Sequence, residues 1–311
     1  MPPVLHRQAE DRGCRRPRRQ VSPALRKRLI SIANVASQPY QKGARIGRLF
    51  TFYVLLFASL LRPASVASHT LPQVCQSAQI DEKAQVTYVY DGDTVKLSDG
   101  RRVRFIGINT PEMGHHETLT QPYAEAARKN LQEALETGGN MLSLQYGRER
   151  QDHYGRLLAH AYLSNGENVA ILLLRQGHAT TLVVPPNTSA ADCYQLIEHE
   201  ARSAGRGLWQ LVSYQTQDAD SLPADTRGFR IVRGQVTGIH RSRQQVRIAL
   251  KGTLTARISN TDLANFEPNY LEKLVDQTIE LRGWIKPEID GLGIRVRHPA
   301  ALALVDASPK H

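Results

Sequence analysis

The chain has 311 residues, 41% of them apolar, enough to bury a sizeable core in one or two domains. Its formal charge of +11 points at first to a polyanionic partner, but residues 1–67 hold 13 basic and 2 acidic side chains, leaving 27 of each from residue 68 onward. The body is therefore neutral overall but uneven: residues 68–220 carry 13 basic against 18 acidic side chains, which excludes long-range capture of a polyanion by that part, and residues 221–311 carry 14 against 9, which favours it there.

In the leader, Arg45 and Arg48 precede the apolar run LFTFYVLLFASLL at residues 49–61, and Ser65, Val66 and Ala67 supply small residues for cleavage. That run of 13 residues is shorter than the roughly 20 needed to span a bilayer. The expectation is a signal peptide over residues 1–67 and a periplasmic or secreted product cleaved near Ala67, with no stable membrane association afterwards. An uncleaved signal anchor is the alternative. Residues 1–44, with Arg15, Arg16, Arg18 and Arg19, show no patterned core and read as disordered or as an over-long start. Residues 68–84 read as a linker.

The densest chemistry lies in YDGDTVKLSDGRRVRFIGINTPE, residues 90–112. Asp91 and Asp93 flank Gly92 where one β-run (residues 86–90) gives way to another (residues 94–97). A turn at Ser98, Asp99 and Gly100 leads into residues 102–108, where Val103 and Phe105 alternate with Arg102 and Arg104 as in a half-buried strand. Arg104 is thus expected on the polar side, facing away from the core. Pro111 ends the strand and leaves Asn109, Thr110 and Glu112 in a loop able to meet the two aspartates. Hard oxygen donors converging in this way suit Ca²⁺.

Helices are expected over residues 123–136, with Ala124, Ala127, Leu131 and Leu135 on one stripe, over residues 168–176 closed by Gly177, and over residues 189–203. Further strands are expected at residues 141–145, 156–162 and 179–183. The motif DHYGR occupies residues 152–156, RQG residues 175–177 and GLW residues 207–209.

DGDTV, RFIGINTPE, DHYGR, RQG and GLW, in that order and spacing between about residues 85 and 210, resemble the thermonuclease (staphylococcal-nuclease-like) family. The resemblance implies an α+β fold made of a five-stranded OB-type barrel with three helices, over residues 85–212, and a calcium-dependent phosphodiesterase acting as a monomer on DNA and RNA. It further implies that Asp93, the Thr110 carbonyl and the residue at 109 hold Ca²⁺, with Asp91 near the ion through water; Mg²⁺ or Mn²⁺ are alternatives. Glu112 would hold or activate the attacking water, and Arg104 and Arg156 would grip the phosphate. Tyr154 and His153 would lie beside the nucleotide. Two departures stand out: Asn109 replaces the family's aspartate, and ATTLVVPP at residues 179–186 lacks the tyrosines placed beside the nucleotide.

The side-chain types suit that chemistry. Charge gathers on the equatorial phosphate oxygens during attack, where a divalent ion and two guanidinium forks oppose it. A carboxylate within one water of the phosphorus serves as general base. By contrast His115, His116 and Glu117 lack zinc-site spacing, and no nucleophile elbow supports a serine hydrolase. Cys75 and Cys193 form one disulfide in an oxidising compartment or remain two thiols.

Residues 213–227, polar throughout, read as a linker. Beyond it, residues 228–305 carry five strand-like runs and one helical stretch over residues 262–274, similar to a smaller OB barrel. There Arg241, Arg243, Arg247, Tyr270 and Trp284 make either a nucleic-acid surface or a core aromatic beside a solvated hairpin. Two functions stay open: an exported nuclease, or a degenerate nuclease-fold module that binds nucleic acid or protein without cutting.

Overall fold

A computed structural model describes residues 79–114 and 118–305, all within one compact unit, His69–His311. The leader, its cleavage site, Cys75, and the His115, His116 and Glu117 group lie outside the described residues. Among the described residues no helix is long and apolar enough to cross a membrane.

The first barrel closes through β1 (Glu82–Val89), β2 (Thr94–Leu97), β3 (Arg102–Phe105), β5 (Met141–Gln151) and β6 (Leu157–Tyr162), in ring order β1-β2-β3-β6-β5. Period-two burial drives it: Val95, Leu97, Val103, Phe105, Leu142 and Leu144 point inward and are at most 2% exposed. The stretch expected as a single strand at residues 102–108 is two. Gly107 has φ +86°, and a Cβ there would meet the Tyr194 ring at 2.4 Å. The chain bends at that point, and β4 (Gly107–Asn109) leaves the barrel to pair with β7 (Thr180–Leu182).

Three helices complete the unit. In α1 (Ala124–Glu136) the expected stripe of Ala124, Ala127, Leu131 and Leu135 is buried. Helix α2 (Val169–Arg175) is capped by Asn168, whose side chain accepts the N–H groups of Ala170 and Ile171. Helix α3 (Ala191–Ser203) buries Tyr194, Ile197, Glu198 and Ala201. Cys193 on α3 is fully buried and disulfide-bonded.

Residues 213–227 are not a free linker. Strand β8 (Thr216–Asp218) pairs in parallel with β9 (Gly228–Arg241), and Ala219 enters the second core. That core lies inside β9, β10 (Gln245–Leu250), β11 (Leu254–Ser259), β12 (Thr278–Glu288) and β13 (Gly291–Arg295), with β14 (Leu302–Leu304) on the edge of β12. Pairing of β12 with β9 closes the ring in the order β9-β10-β11-β13-β12. Both barrels thus share one strand order and one parallel contact, β3 with β6 and β11 with β13. The helix expected at residues 262–274 is instead two 3-10 turns, Asp262–Asn265 and Glu272–Leu274.

The barrels are held together by α3. Along β12, Ile279, Leu281 and Ile285 point into the second core while Glu280 and Arg282 face the helix. Glu280 pairs with Arg202 (2.7 Å) and Arg282 with Glu198, whose carboxylate also accepts the Thr181 N–H at 2.8 Å. A small apolar cluster of Ala201, Trp209 and Ile231, with Tyr214 and Phe229 against it, lies beside these ion pairs.

Candidate nuclease cleft

Asp91, Gly92 and Asp93 form the bend between β1 and β2. Its ends are tied by Tyr90 N–H to Thr94 O and by Phe105 N–H to Asp93 O. Gly92 is required by space: a Cβ there would stand 2.7 Å from Thr110 Cγ2 and 2.9 Å from Ala127 Cβ. This close approach brings the loop after β4 onto Asp93. Thr110 donates its N–H (2.7 Å) and its hydroxyl (3.1 Å) to Asp93 Oδ2, while Thr94 Oγ1 donates to Oδ1 at 2.9 Å. Arg104 adds an ion pair, Nε to Asp93 Oδ1 at 3.1 Å.

Arg104 departs from the expectation that it faces outward. Its side chain is 11% exposed, turned inward because buried Asp93 needs a cationic partner. It also donates to Phe105 O (2.7 Å) and to Asn109 Oδ1 (3.2 Å). Asn109 in turn donates Nδ2–H to Thr110 O at 3.1 Å. The two neighbours select this amide orientation, since a flip would set oxygen against oxygen and nitrogen against guanidinium. Asn109 thus links Arg104 to the Thr110 carbonyl, where an aspartate would set a second negative oxygen beside that carbonyl.

Asp91 is buried and accepts the Asp93 N–H at 3.0 Å. Among the described residues, no Lys or Arg stands within ion-pair distance of it. Burial first, then the charges of Asp93 and Glu112, push its carboxyl up to about 7. A raised carboxyl favours the folded state when protonated, so this contribution is full below about pH 4 and is lost as pH rises through about 7. His160, pushed down to about 4 by burial, gives the opposite trend. The isolating measurement is therefore thermal melting of the wild type against Asp91→Asn, both in chelator. The wild type is expected to lose stability relative to the variant between pH 5 and pH 8; parallel profiles would refute the assignment.

A cleft of about 710 Å³ opens above these groups, lined by Arg104, Asn109, Glu112, His153, Tyr154 and Arg156 among others. Glu112 is exposed at its rim, and its N–H and carbonyl are clasped by Gln121. Arg156 comes from the DHYGR turn, where Asp152 accepts the N–H groups of Tyr154 and Arg156 and holds Arg156 Nε at 2.7 Å. Its guanidinium carbon lies 5.3 Å from the Tyr154 ring centroid, and His153 packs on the same ring at 3.8 Å. The fold thus gathers residues of RFIGINTPE and DHYGR into one concavity.

The match to the family model described as Staphylococcal nuclease homologue covers residues 102–211. Endonuclease YncB of Bacillus subtilis is 38% identical over 130 residues, 40% of this chain and 61% of that protein. Thermonuclease of Staphylococcus intermedius is 34% identical over 132 residues, 42% of this chain and 77% of that protein. The chain belongs to the staphylococcal nuclease family. Its matched part spans 61% of YncB and 43% of the B. subtilis prophage-derived endonuclease YokF, less than two thirds of either.

Among the described residues no three His, Cys, Asp or Glu side chains form a ready cation cage. The family's divalent ion nevertheless fits the donor chemistry present. Asp91 is a carboxylate whose ionisation is opposed by burial and by the charges of Asp93 and Glu112, and the neighbouring donors, Asp93, the Thr110 carbonyl and the Asn109 amide, are hard oxygens. Asp93, however, already takes four protein donors, about the capacity of one carboxylate, so an ion would compete with Arg104 and the two threonines for it.

Sequence reasoning named Trp284 as a possible nucleic-acid aromatic but in another surface, and it missed Arg297; both come to this cleft from the second barrel. No local signal could have placed them here, because their place depends on how the barrels dock.

Proposed function

We propose that this protein is an exported nuclease that hydrolyses phosphodiester bonds of DNA and RNA with the help of a divalent cation, Ca²⁺ by its resemblance to the thermonucleases. The observation that carries the reading is the single cleft that unites Arg104, Arg156 and Glu112 above Asp91 and Asp93. Asp91, Asp93, the Thr110 carbonyl and Asn109 would hold the cation, which when bound stabilises charge on the phosphate. Arg104 and Arg156 grip the phosphate oxygens and oppose the charge that accumulates during attack. Glu112 orients a water and takes its proton as the water oxygen bonds to phosphorus. One ester P–O bond breaks, the leaving oxygen takes a proton from solvent, and Glu112 returns its proton to solvent. Tyr154 and His153 flank the nucleotide.

Digestion of plasmid and of RNA with Ca²⁺, Mg²⁺ or chelator tests this reading. Cleavage is expected only with a divalent cation, and none under any condition would favour a binding module. Asn109→Asp restores a ligand charge and removes the amide N–H that occupies Thr110 O. It is expected to tighten Ca²⁺ binding about tenfold, roughly 1.4 kcal/mol, in a calorimetric titration. Equal affinity in the two forms would take residue 109 out of the ion site.

A further inference from the structure

The second barrel reaches the cleft through β12. Two residues beyond Arg282, which is locked to Glu198 on α3, Trp284 takes the same outward side of the strand and forms part of the cleft wall. Its indole is held edge-on by Phe229, its partner across β9, with centroids 5.4 Å apart at 71°. It is still 45% exposed. Beside it, Arg297 lines the same cleft. Arg295 and Arg297 share one buried carboxylate, Asp262, at 2.8 and 3.2 Å, so the trio carries a net positive charge. A smaller cavity of about 290 Å³ continues from here, walled by Leu182, Val184, Trp284, Arg295 and Arg297 among others.

The residues that share these cavities with Trp284 explain what this wall does. The end of β7 and the segment after it offer Leu182, Val183 and Val184, with no aromatic ring between residues 179 and 186. A base entering there meets these aliphatic side chains, and the aromatic rings that line the smaller cavity, Trp284 and Phe229, belong to the second barrel. The alternative sequence reading, in which Trp284 shares a surface with Arg241, Arg243, Arg247 and Tyr270, does not hold. Trp284 pairs with Phe229 while Arg241 lies twelve residues further along β9, on the order of 40 Å of strand. Arg241 is paired with Glu272, and Tyr270 packs on Phe266.

We propose that Trp284 and Arg297 form a nucleotide subsite supplied by the second barrel: a base of the bound single strand stacks on the indole, and an adjoining phosphate meets the Arg297 guanidinium. The proposal rests on the reading of the cleft as a nucleic-acid site. It gives the C-terminal barrel a role in holding the strand, whose cleaved phosphate lies at Arg104 and Arg156. Stacking tolerates every base, so the subsite adds affinity with little sequence preference.

The chain has two tryptophans, and Trp209 is 2% exposed, so quenching of intrinsic fluorescence reports on Trp284. The full chain carrying Arg156→Ala, to slow cleavage, is titrated with a twelve-nucleotide single-stranded DNA. Quenching is expected with Trp284 present and absent in Trp284→Phe. Trp284→Ala is expected to weaken binding about tenfold, with Trp284→Phe retaining most of the affinity. Arg297→Ala should reduce the slope of log K against log salt by about 0.7, one phosphate contact. Unquenched fluorescence together with undiminished affinity on adding Trp284→Ala, while the chain with Arg156 intact digests DNA, would overturn the subsite and leave the nuclease reading intact. Quenching that depends on Trp284 in a protein that digests nothing would uphold the subsite and overturn that reading.

Discussion

Arg156→Ala is expected to lower kcat on DNA and RNA at least about 100-fold, the usual scale for losing one charge partner of a transition state, while leaving Tm nearly unchanged. The second half of that expectation comes from the turn. Asp152 keeps its bonds from the Tyr154 and Arg156 backbone N–H groups after the side chain is cut back, and the lost pair is partly exposed, 25% and 14%. Arg104→Ala should lose at least as much turnover but also stability, because it strips the cationic partner from Asp93, which is 1% exposed. The pair of variants separates chemistry from folding: single-turnover assays and thermal melts on both decide it. Normal turnover in Arg156→Ala would remove this residue from the phosphate clamp.

Glu198→Ala is the substitution expected to cost most stability, about 3–5 kcal/mol, a fall in Tm of roughly 6–20 °C. Arg282 and Glu198 are 15% and 4% exposed and doubly bonded, and truncation leaves the guanidinium without its partner and the Thr181 N–H without an acceptor. The neighbouring pair, Arg202 with Glu280, is more exposed at 31% and 25%, so Arg202→Ala should cost less. Glu198→Gln preserves an acceptor for Thr181 and should fall between wild type and Glu198→Ala. Because Trp284 is carried two residues beyond Arg282 on the same strand, Glu198→Ala should also raise KM for long strands. A melt within about 2 °C of wild type would show that the docking of the barrels does not depend on this pair.

Asn109 shows how far a local motif can be read. RFIGINTPE gives the residue, its neighbours and its difference from an aspartate, and these suffice to question the strength of cation binding. They do not say that the amide nitrogen meets Thr110 O while the oxygen meets Arg104. That orientation follows from Arg104 turning inward to Asp93, a contact between strand β3 and the bend before β2 and not a property of either alone.

Sequence by itself determined the three helices of the first barrel, most of the strands of both barrels, and the stretch in which acids and arginines converge. Periods of two and 3.6, capping residues and turn glycines act within about ten residues, the range in which a pattern is legible. The tertiary structure alone decided four things: that residues 216–218 form a strand, that the chain bends at Gly107, that Glu198 meets Arg282, and that Trp284 enters the cleft. A charged pair 84 residues apart leaves no periodic trace, and the fate of one outward-facing tryptophan on a barrel strand depends on which surface docks beside it. Such contacts are selected by the packing of whole elements, after local pattern has done its part.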